Sequence, residues 1–301
     1  MDIDDLKKFI EIAHCNNLQQ AASRLNQTPG ALSKVIKRLE LKLNTELFDR
    51  LGRGIILNHA GEKFRQYAVN LVHETEQAIS EFNGANNKTL VKLAGPTVLM
   101  EHYLPPLIKT LDNSHFFNPE FKITTIWEGN AVNQVATGQV HMALVTTAAL
   151  FQNQHSSDFH RIPLGKTRFK VVAAKTHPIL SRYPNQKVSI SQLKDFCFAC
   201  PTVSPFCGLK RGIGSDGWRD DKVPRTIGFR FDDFGSLMSV VNAGLALAYV
   251  PDFVALHHNL AIINVTDCEH SSAEEIELVY KPSLASGWLN QIGDVLVRHY
   301  G

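Results

Sequence analysis

The strongest constraint on the fold lies between residues 18 and 39, where two short amphipathic segments flank a tight turn. Residues 18–25 have the apolar spacing of a short helix. The turn ends in Thr28 and Pro29, which suit the N-cap and the first position of a new helix, because that position needs no N–H donor. Two helices joined by so tight a turn predict a helix-turn-helix.

The second helix of this pair has two contrasting faces. Its apolar stripe, which predicts the core face, consists of Ala31, Leu32, Val35, Ile36 and Leu39. Its other face holds Gly30, Ser33, Lys34, Lys37 and Arg38. Between residues 23 and 65 nine basic side chains stand against four acidic ones, while the whole chain has a net charge of only +2. A solvated helix face would explain the charge alone, but a basic helix after a tight turn also fits the DNA major groove.

A β-hairpin is predicted directly after the helix-turn-helix. Gly52 and Gly54 flank Arg53 between two apolar segments. An arginine at the tip of such a wing suits a DNA phosphate or a narrow minor groove. Arg50, on the first strand, belongs to the same predicted DNA-binding set. A three-helix bundle with a hairpin that binds nothing is the alternative.

The order of these residues resembles the LysR-type transcriptional regulators. The resemblance is carried by Ala21–Leu25, Ala31–Glu40, Leu47–Arg50 and Gly61. It implies contacts with DNA bases and backbone from Thr28, Pro29, Gly30, Ser33, Lys34 and Arg38, and a wing contact from Arg53. The family often has a polar residue in place of Pro29 and a bulkier one in place of Gly30. Direct readout is therefore expected to depend on Ser33 and Lys34.

A long helix is predicted to join the N-terminal domain to the rest of the chain. Asn58 is its expected N-cap, and its apolar positions alternate steps of four and three. These seam positions are Phe64, Ala68, Leu71, Thr75, Ala78 and Phe82. Packing of the helix on its own domain is one interpretation. The family resemblance implies the other, in which the helix pairs two subunits, and residues 83–87 then form a hinge.

The C-terminal two-thirds alternate strand-like and helix-like segments, which predicts open α/β sheets with ligands near the carboxyl ends of strands. The resemblance extends here through residues 138–144, 175–179 and 240–251. It implies a two-lobed domain similar to periplasmic binding proteins. We therefore expect an α/β protein with an N-terminal all-α winged helix-turn-helix (1–58), a linker and dimerisation helix with its hinge (59–87) and an effector-binding domain (88–301). Lobe I covers about 88–163 and 268–301, and lobe II about 164–267, with crossovers near Leu164 and Asp267.

The cleft between the two lobes is the predicted effector site. Hydroxyl groups and backbone N–H groups at helix starts suit a small anion, whereas phenylalanines would line a pocket for an aromatic compound. The residues expected there are Thr97, Val98, Thr146, Thr147, Thr202, Val203, Ser204, Phe206, Phe231 and Asp232. Each threonine alone is more often a helix cap than a ligand contact, so its position near the cleft decides the assignment.

Two alternative functions come from other features of the sequence. Cys197, Cys200 and Cys207 would allow a redox-sensing regulator, although no second pair or nearby histidine completes a zinc site. A small-molecule-binding protein without a regulatory role is the other alternative. No enzyme is expected, because the chain has no G-x-S-x-G, H-E-x-x-H or Walker signature. The spacing of residues 212–217 matches G-x-G-x-x-G, but the surrounding residues predict a loop.

The expected partners are double-stranded operator DNA, a second copy of the chain in a dimer or tetramer, and a small-molecule effector. RNA polymerase joins them if the protein activates transcription. No cofactor or metal is expected. The acidic start of the chain and the absence of a long apolar run predict a cytoplasmic protein without a membrane partner.

Overall fold

The computed structural model describes residues 2–15, 17–51, 54–82, 89–112, 119–151, 158–269, 271–282 and 287–300. Its N-terminal part consists of helices around a small hairpin. In chain order these elements are α1 (Ile3–Cys15), α2 (Leu18–Leu25), α3 (Pro29–Leu43), β1 (Phe48–Leu51), β2 (Gly54–Leu57) and α4 (His59–Phe82). Helices α2 and α3 form the predicted helix-turn-helix, and β1 and β2 pair antiparallel as the predicted wing.

The start of α3 is determined by its first residues. The Thr28 hydroxyl oxygen accepts a hydrogen bond from the Ala31 N–H at 3.2 Å, and Pro29 is the first helical residue. The helix ends at Asn44, which adopts a left-handed conformation with φ of 49°. The predicted apolar stripe is buried at four of its five positions, Leu32, Val35, Ile36 and Leu39. This side of α3 therefore packs into the domain core and leaves the other side to solvent.

Helix α4 begins as predicted, but the apolar positions of its predicted seam differ in their burial. Asn58 Oδ1 accepts a hydrogen bond from the Gly61 N–H at 2.9 Å. Phe64 and Ala68 are buried in the core of the N-terminal domain, and the Phe64 ring lies 4.9 Å from that of Phe9. The prediction of one continuous seam between subunits is therefore wrong for these two positions, because α1 already covers that face. Leu71, further along, is exposed.

The C-terminal part has two lobes, and the predicted strand–helix alternation is confirmed. The first lobe contains β3 (Thr89–Gly95), α5 (Thr97–Asp112), β4 (Pro119–Thr125), α6 (Glu128–Ala136), β5 (Met142–Thr146) and α7 (Thr147–Phe151). Strand β6 (His160–Ala173) leads into the second lobe, which contains α8 (Pro178–Arg182), β7 (Lys187–Val188), α9 (Ile190–Leu193), β8 (Cys197–Pro201), β9 (Thr226–Phe231), α10 (Phe234–Asn242), β10 (Ala248–Pro251), α11 (Asp252–His257) and β11 (Ala261–Val265). The chain returns through β12 (Ala273–Tyr280) to α12 (Gly287–Tyr300).

One sheet runs through both lobes in the order β4-β3-β5-β12-β6-β11-β7. Its connection is β6, whose first half pairs with β12 and whose second half pairs with β10 and β11. Strand β6 continues past Gly165, which has a φ of 139°, and the pairing with β12 shifts its register between Ile276 and Glu277. Residues 160–173 thus form one long strand that belongs to both lobes. The exact domain and lobe boundaries stay predictions.

Helix α5 contains two consecutive prolines. It begins at Thr97 and includes Pro105 and Pro106, which each remove one backbone hydrogen bond. Its first turn buries Val98, Leu99 and Met100 in the main core, and this burial offsets the missing hydrogen bonds. The N-terminal half of α5 therefore faces the rest of the domain, which places it beside the cleft.

The N-terminal domain packs against the first lobe through α1. A cavity of about 360 Å³ between them is lined by residues that include Glu11, His14, Lys92 and Gln139. Burial lowers the pKa of the His14 imidazole to about 4, so this side chain is neutral at physiological pH. Within the described residues, no helix is long and apolar enough to span a bilayer.

Candidate nucleic-acid interface and ligand cleft

The outward face of α3 presents the predicted DNA-binding residues to solvent. Those fully exposed are Thr28, Pro29, Gly30, Lys34, Lys37, Arg38 and, on β1, Arg50. Ser33 is partly exposed. Arg53, the predicted wing contact, lies outside the described residues. The eight predicted residues that the structure describes are therefore all exposed or partly exposed.

A groove of about 560 Å³ separates α3 from the hairpin and brings together Ser33, Lys37 and Arg50. In the part of the chain that the structure describes, Lys34, Lys37 and Arg50 form no ion pair. Unpaired cations beside a groove are available to a polyanion without first breaking an internal contact.

Arg38 differs from the other cations on α3 because its guanidinium already has a partner. Arg38 Nε donates to Asp5 Oδ2 at 2.9 Å, and a second nitrogen donates to the other oxygen. Asp5 is buried at the start of α1, so this bidentate pair joins α1 to α3. The contact places Arg38 beside the predicted interface with a role in holding the domain together.

Gly30 leaves the first turn of α3 open. A Cβ atom built at this position would have no other atom within 4 Å. Packing inside the protein therefore does not require glycine here. The missing side chain instead allows a close approach to the N-terminal end of α3 from outside.

The predicted threonines of the first lobe lie at strand ends, but their hydroxyls differ in availability. Thr97 is exposed at the start of α5, while Val98 is buried in the core. The Thr146 hydroxyl donates to Glu128 Oε2 at 2.8 Å, and the Thr147 hydroxyl donates to Glu277 Oε1 at 2.6 Å. The Thr146 and Thr147 hydroxyls therefore already donate hydrogen bonds to carboxylates of the same chain.

The predicted residues of the second lobe surround the loop after β8. Thr202 and Val203 are half-buried, and the Ser204 N–H donates to the Leu209 carbonyl at 2.8 Å. Phe206, expected to line the pocket, is instead packed in the core with its ring 6.0 Å from that of Phe169.

Phe231 and Asp232 follow β9 on the way to α10. Phe231 is half-buried and its ring lies 6.4 Å from that of Phe229, while Asp232 is exposed. The neighbouring Asp233 caps α10, since its Oδ2 accepts from the Ser236 N–H at 2.6 Å. A ligand between the lobes would therefore meet one aromatic ring and an acidic helix cap on this side.

Two cleft residues were missed by the sequence reasoning, Trp127 and Glu128. The Glu128 N–H donates to the Phe206 carbonyl at 3.1 Å, and the Trp127 ring lies against Gly208. Both contacts join the first lobe to the second. Their position directly after β4, at the carboxyl end of a parallel strand, is the signal that would have identified them.

Glu128 is a buried carboxyl group at this junction. Burial raises its pKa, the hydrogen bonds from Thr146 lower it, Glu274 raises it and Arg211 lowers it; the net direction is upward. Burial also raises the pKa of Glu274. This side of the cleft therefore carries carboxyl groups, which the prediction of an anionic effector did not include.

The three cysteines proposed for redox sensing have different environments. Cys200 is fully buried, and burial raises the pKa of its thiol to about 12. The Cys197 thiol donates to the Leu245 carbonyl at 3.3 Å, and Cys207 is half-buried. All three are free thiols. Because oxidation proceeds through the thiolate, the environment of Cys200 is unfavourable to redox sensing.

The glycine-rich stretch 212–217 forms a loop, as its surroundings predicted. Its glycine Gly214 accommodates Arg225, whose Nη2 would lie 2.1 Å from a Cβ at that position. The buried Arg225 guanidinium bonds to Asp216 and Asp220 and stacks 5.1 Å from the Phe198 ring. The glycine spacing thus serves a buried ion-pair network of the second lobe.

A winged helix-turn-helix followed by a two-lobed α/β domain defines a class of proteins that combine a DNA-binding fold with a ligand-binding fold. Comparison with known families gives a narrower assignment. A family model described as bacterial regulatory helix-turn-helix protein, lysR family, matches residues 3–62, and one described as LysR substrate binding domain matches residues 84–289. The chain belongs to the LysR family.

Relatives and solved structures agree with this assignment. The HTH-type transcriptional regulator DgdR of Burkholderia cepacia is 33% identical over 115 residues, which is 38% of this chain and 39% of DgdR, so the match spans less than half of that relative. ArgP from Mycobacterium tuberculosis has a TM-score of 0.63 at 16% identity, covering 100% of this chain and 98% of that one. LysG from Corynebacterium glutamicum has a TM-score of 0.62 at 16% identity, covering 99% and 97%. These structures share the fold.

Proposed function

We propose that this protein is a transcriptional regulator that binds operator DNA through α3 and the wing, and whose DNA binding or promoter activation is modulated by a small molecule between its lobes. The observation that carries the proposal is the exposed, unpaired set Lys34, Lys37 and Arg50 on α3 and the wing, of which Lys37 and Arg50 line the groove. Phosphate contacts from Lys37 and Arg50 supply salt-dependent affinity. Ser33 and Lys34 read base edges, and Arg53 contacts the backbone from the wing tip.

The two-lobed architecture supports the proposal that a small molecule modulates the protein. The lobes are connected by β6 and β12 and by contacts such as the Glu128–Phe206 hydrogen bond, and strand ends and helix starts of both lobes lie near this junction. LysG, which shares this fold, was solved with a bound effector, Arg. A ligand that binds one lobe arrangement better than the other shifts the equilibrium between them, tenfold for each 1.4 kcal/mol or so of difference.

The test is a footprint of the full-length protein on the DNA upstream of its own gene, followed by titrations at several salt concentrations. We expect a protected, roughly palindromic site. Lys34→Ala and Arg50→Ala should each weaken binding, and Arg50→Ala, which removes a phosphate contact, should also reduce the slope of log affinity against log salt by about 1. Lys187→Ala removes the same charge from the second lobe and serves as the matched control.

Two results would contradict the proposed interface. One is unchanged binding by Lys34→Ala together with an unchanged salt slope in Arg50→Ala. The other is a loss of affinity in Lys187→Ala as large as in Lys34→Ala, because that would show only a general effect of net charge. A genome-wide binding search covers sites away from the protein's own gene, and the absence of any specific site would favour a binding protein without a regulatory role.

A further inference from the structure

A cluster of metal-ligating side chains lies where α5 of the first lobe touches α11 of the second, apart from the cleft residues described above. Glu101 belongs to α5, His257 ends α11 and His258 caps it. One ligand atom from each side chain lies within 4.8 Å of the other two, and Glu101 Oε2 is 3.8 Å from His258 Nε2. The fold thus brings two imidazoles and one carboxylate to a single point.

His258 Nε2 is the atom that most clearly needs a partner. It is buried, and among the described residues it has no hydrogen-bond partner. The 3.8 Å separation from Glu101 is longer than a hydrogen bond. A buried polar atom without a partner is unfavourable, and a metal ion between His258 and Glu101 would satisfy both groups.

The His258 ring is in contact with the last residue of α10. Asn242, the last residue of α10, places its amide nitrogen Nδ2 3.1 Å from His258 Nδ1. Turning this amide by 180° would place its oxygen there, where it would accept the Nδ1 proton and leave the Nε2 lone pair for a metal ion.

The distances are close to those of a metal site. Ligand atoms of a tetrahedral zinc ion lie about 3.3 Å apart, given bonds of about 2.0–2.1 Å. Small side-chain rotations therefore bring the three ligand atoms from their present separations to the required ones. Two histidines, one glutamate and a water molecule form a common zinc donor set, and imidazole ligands favour zinc, nickel and copper over magnesium or calcium.

We propose that Glu101, His257 and His258 bind a divalent transition-metal ion of the zinc type that joins the two lobes. The neighbouring contact already holds α5 and α11 together, because His102 stacks on Phe253 with ring centroids 4.7 Å apart. Since the ligands come from both lobes, ion binding stabilises the lobe arrangement seen here.

The test uses the full-length protein after removal of metals with a chelator. Zn²⁺ is titrated in competition with a chromogenic chelator, and we expect one tightly bound ion per chain. Glu101→Gln and His258→Gln should each weaken binding at least 100-fold, and Asn242→Ala should weaken it about tenfold. His59→Gln, which removes an exposed imidazole at the start of α4, is the matched control and should bind like the wild type.

Two further readouts separate this site from metal binding elsewhere, for example at the cysteines. Zn²⁺ should raise the Tm of the wild type and not that of Glu101→Gln, whose metal-free Tm should equal the wild-type value. Electron paramagnetic resonance of the Cu²⁺-loaded protein should show two nitrogen ligands. Absence of tight Zn²⁺ binding by the wild type, or undiminished binding by Glu101→Gln and His258→Gln, would overturn the proposal.

Discussion

At the scale of single residues, Glu128 shows how one buried carboxyl group links structure to pH. Its pKa is raised above the ordinary value of 4.5, mainly by burial. The folded protein therefore holds the proton more tightly than the unfolded chain does. The contribution of this group to the free energy of unfolding is largest at low pH and is lost as the pH rises through the raised pKa.

Glu128→Gln should remove this pH dependence. The amide keeps the shape and can still accept the Thr146 hydrogen bonds through its oxygen, but it has no charge to bury. We expect the Tm of the variant to exceed that of the wild type at pH 8 and to match it more closely at pH 5. A Tm that is lower than the wild type's by the same amount at both pH values would show that the neutral amide cannot replace the carboxyl group.

At the scale of elements, one face of α4 packs against its own domain, and apolar residues on another face are exposed to solvent. Phe64, Ala68 and Val72 are buried against the helices of the N-terminal domain. Tyr67, Leu71 and Ile79 are 59%, 44% and 55% exposed, which is unusual for large apolar side chains repeated on one helix. This second face is where a paired subunit is expected to pack.

The double variant Leu71→Glu/Ile79→Glu should therefore dissociate the oligomer. Two buried charges at a helix–helix seam are strongly unfavourable, whereas the monomer exposes these positions to water. Sedimentation velocity at micromolar concentration measures the outcome. Leu209→Glu changes a residue of similar exposure, 59%, on a loop of the second lobe and should leave the oligomer intact. Persistence of the oligomer in the double variant would exclude this face of α4 as the main interface.

At the scale of the whole molecule, the contact between Trp127 and Gly208 determines how closely the lobes approach on one side of the cleft. Gly208 has a φ of 67°, and a Cβ there would lie 2.5 Å from the Trp127 ring. Gly212 has a similar φ of 69°, but nothing lies within 4 Å of a Cβ at that position. The two glycines share the same conformational requirement and differ in the contact across the lobes.

Gly208→Ala should therefore do more than Gly212→Ala. Both variants lose about 1–2 kcal/mol because an L-residue adopts a left-handed conformation. Gly208→Ala should lose a further 1–3 kcal/mol or so from the clash with Trp127, or separate the lobes to avoid it. Urea denaturation measures the stability, and small-angle X-ray scattering measures any increase in the radius of gyration. Equal effects of the two substitutions on both measurements would show that this contact does not limit lobe approach.

Features of the fold that depend on residues close together in the chain were predicted best from the sequence. The Thr28 cap, the Pro29 start and the buried stripe of α3 follow from residues within a few positions of one another, and each was predicted. The alternating strands and helices of the lobes were predicted for the same reason. The prediction of the α4 seam was only partly right, because a helix pattern shows which positions are apolar but not which neighbouring element packs against them.

The sequence by itself determined the helix-turn-helix, the wing, the strand–helix alternation of the C-terminal part and the basic face of α3, because helix and strand periods and caps are encoded over short distances. The division of the C-terminal part into two lobes was expected from the family resemblance. Tertiary structure alone decided that Arg38 is paired with Asp5, that Thr146 and Thr147 hold carboxylates and that Phe206 belongs to the core. It also brought Glu101 to His257 and His258. The partner of a polar side chain depends on which distant segment folds against it. The spacing of residues along the chain does not show which segment that is.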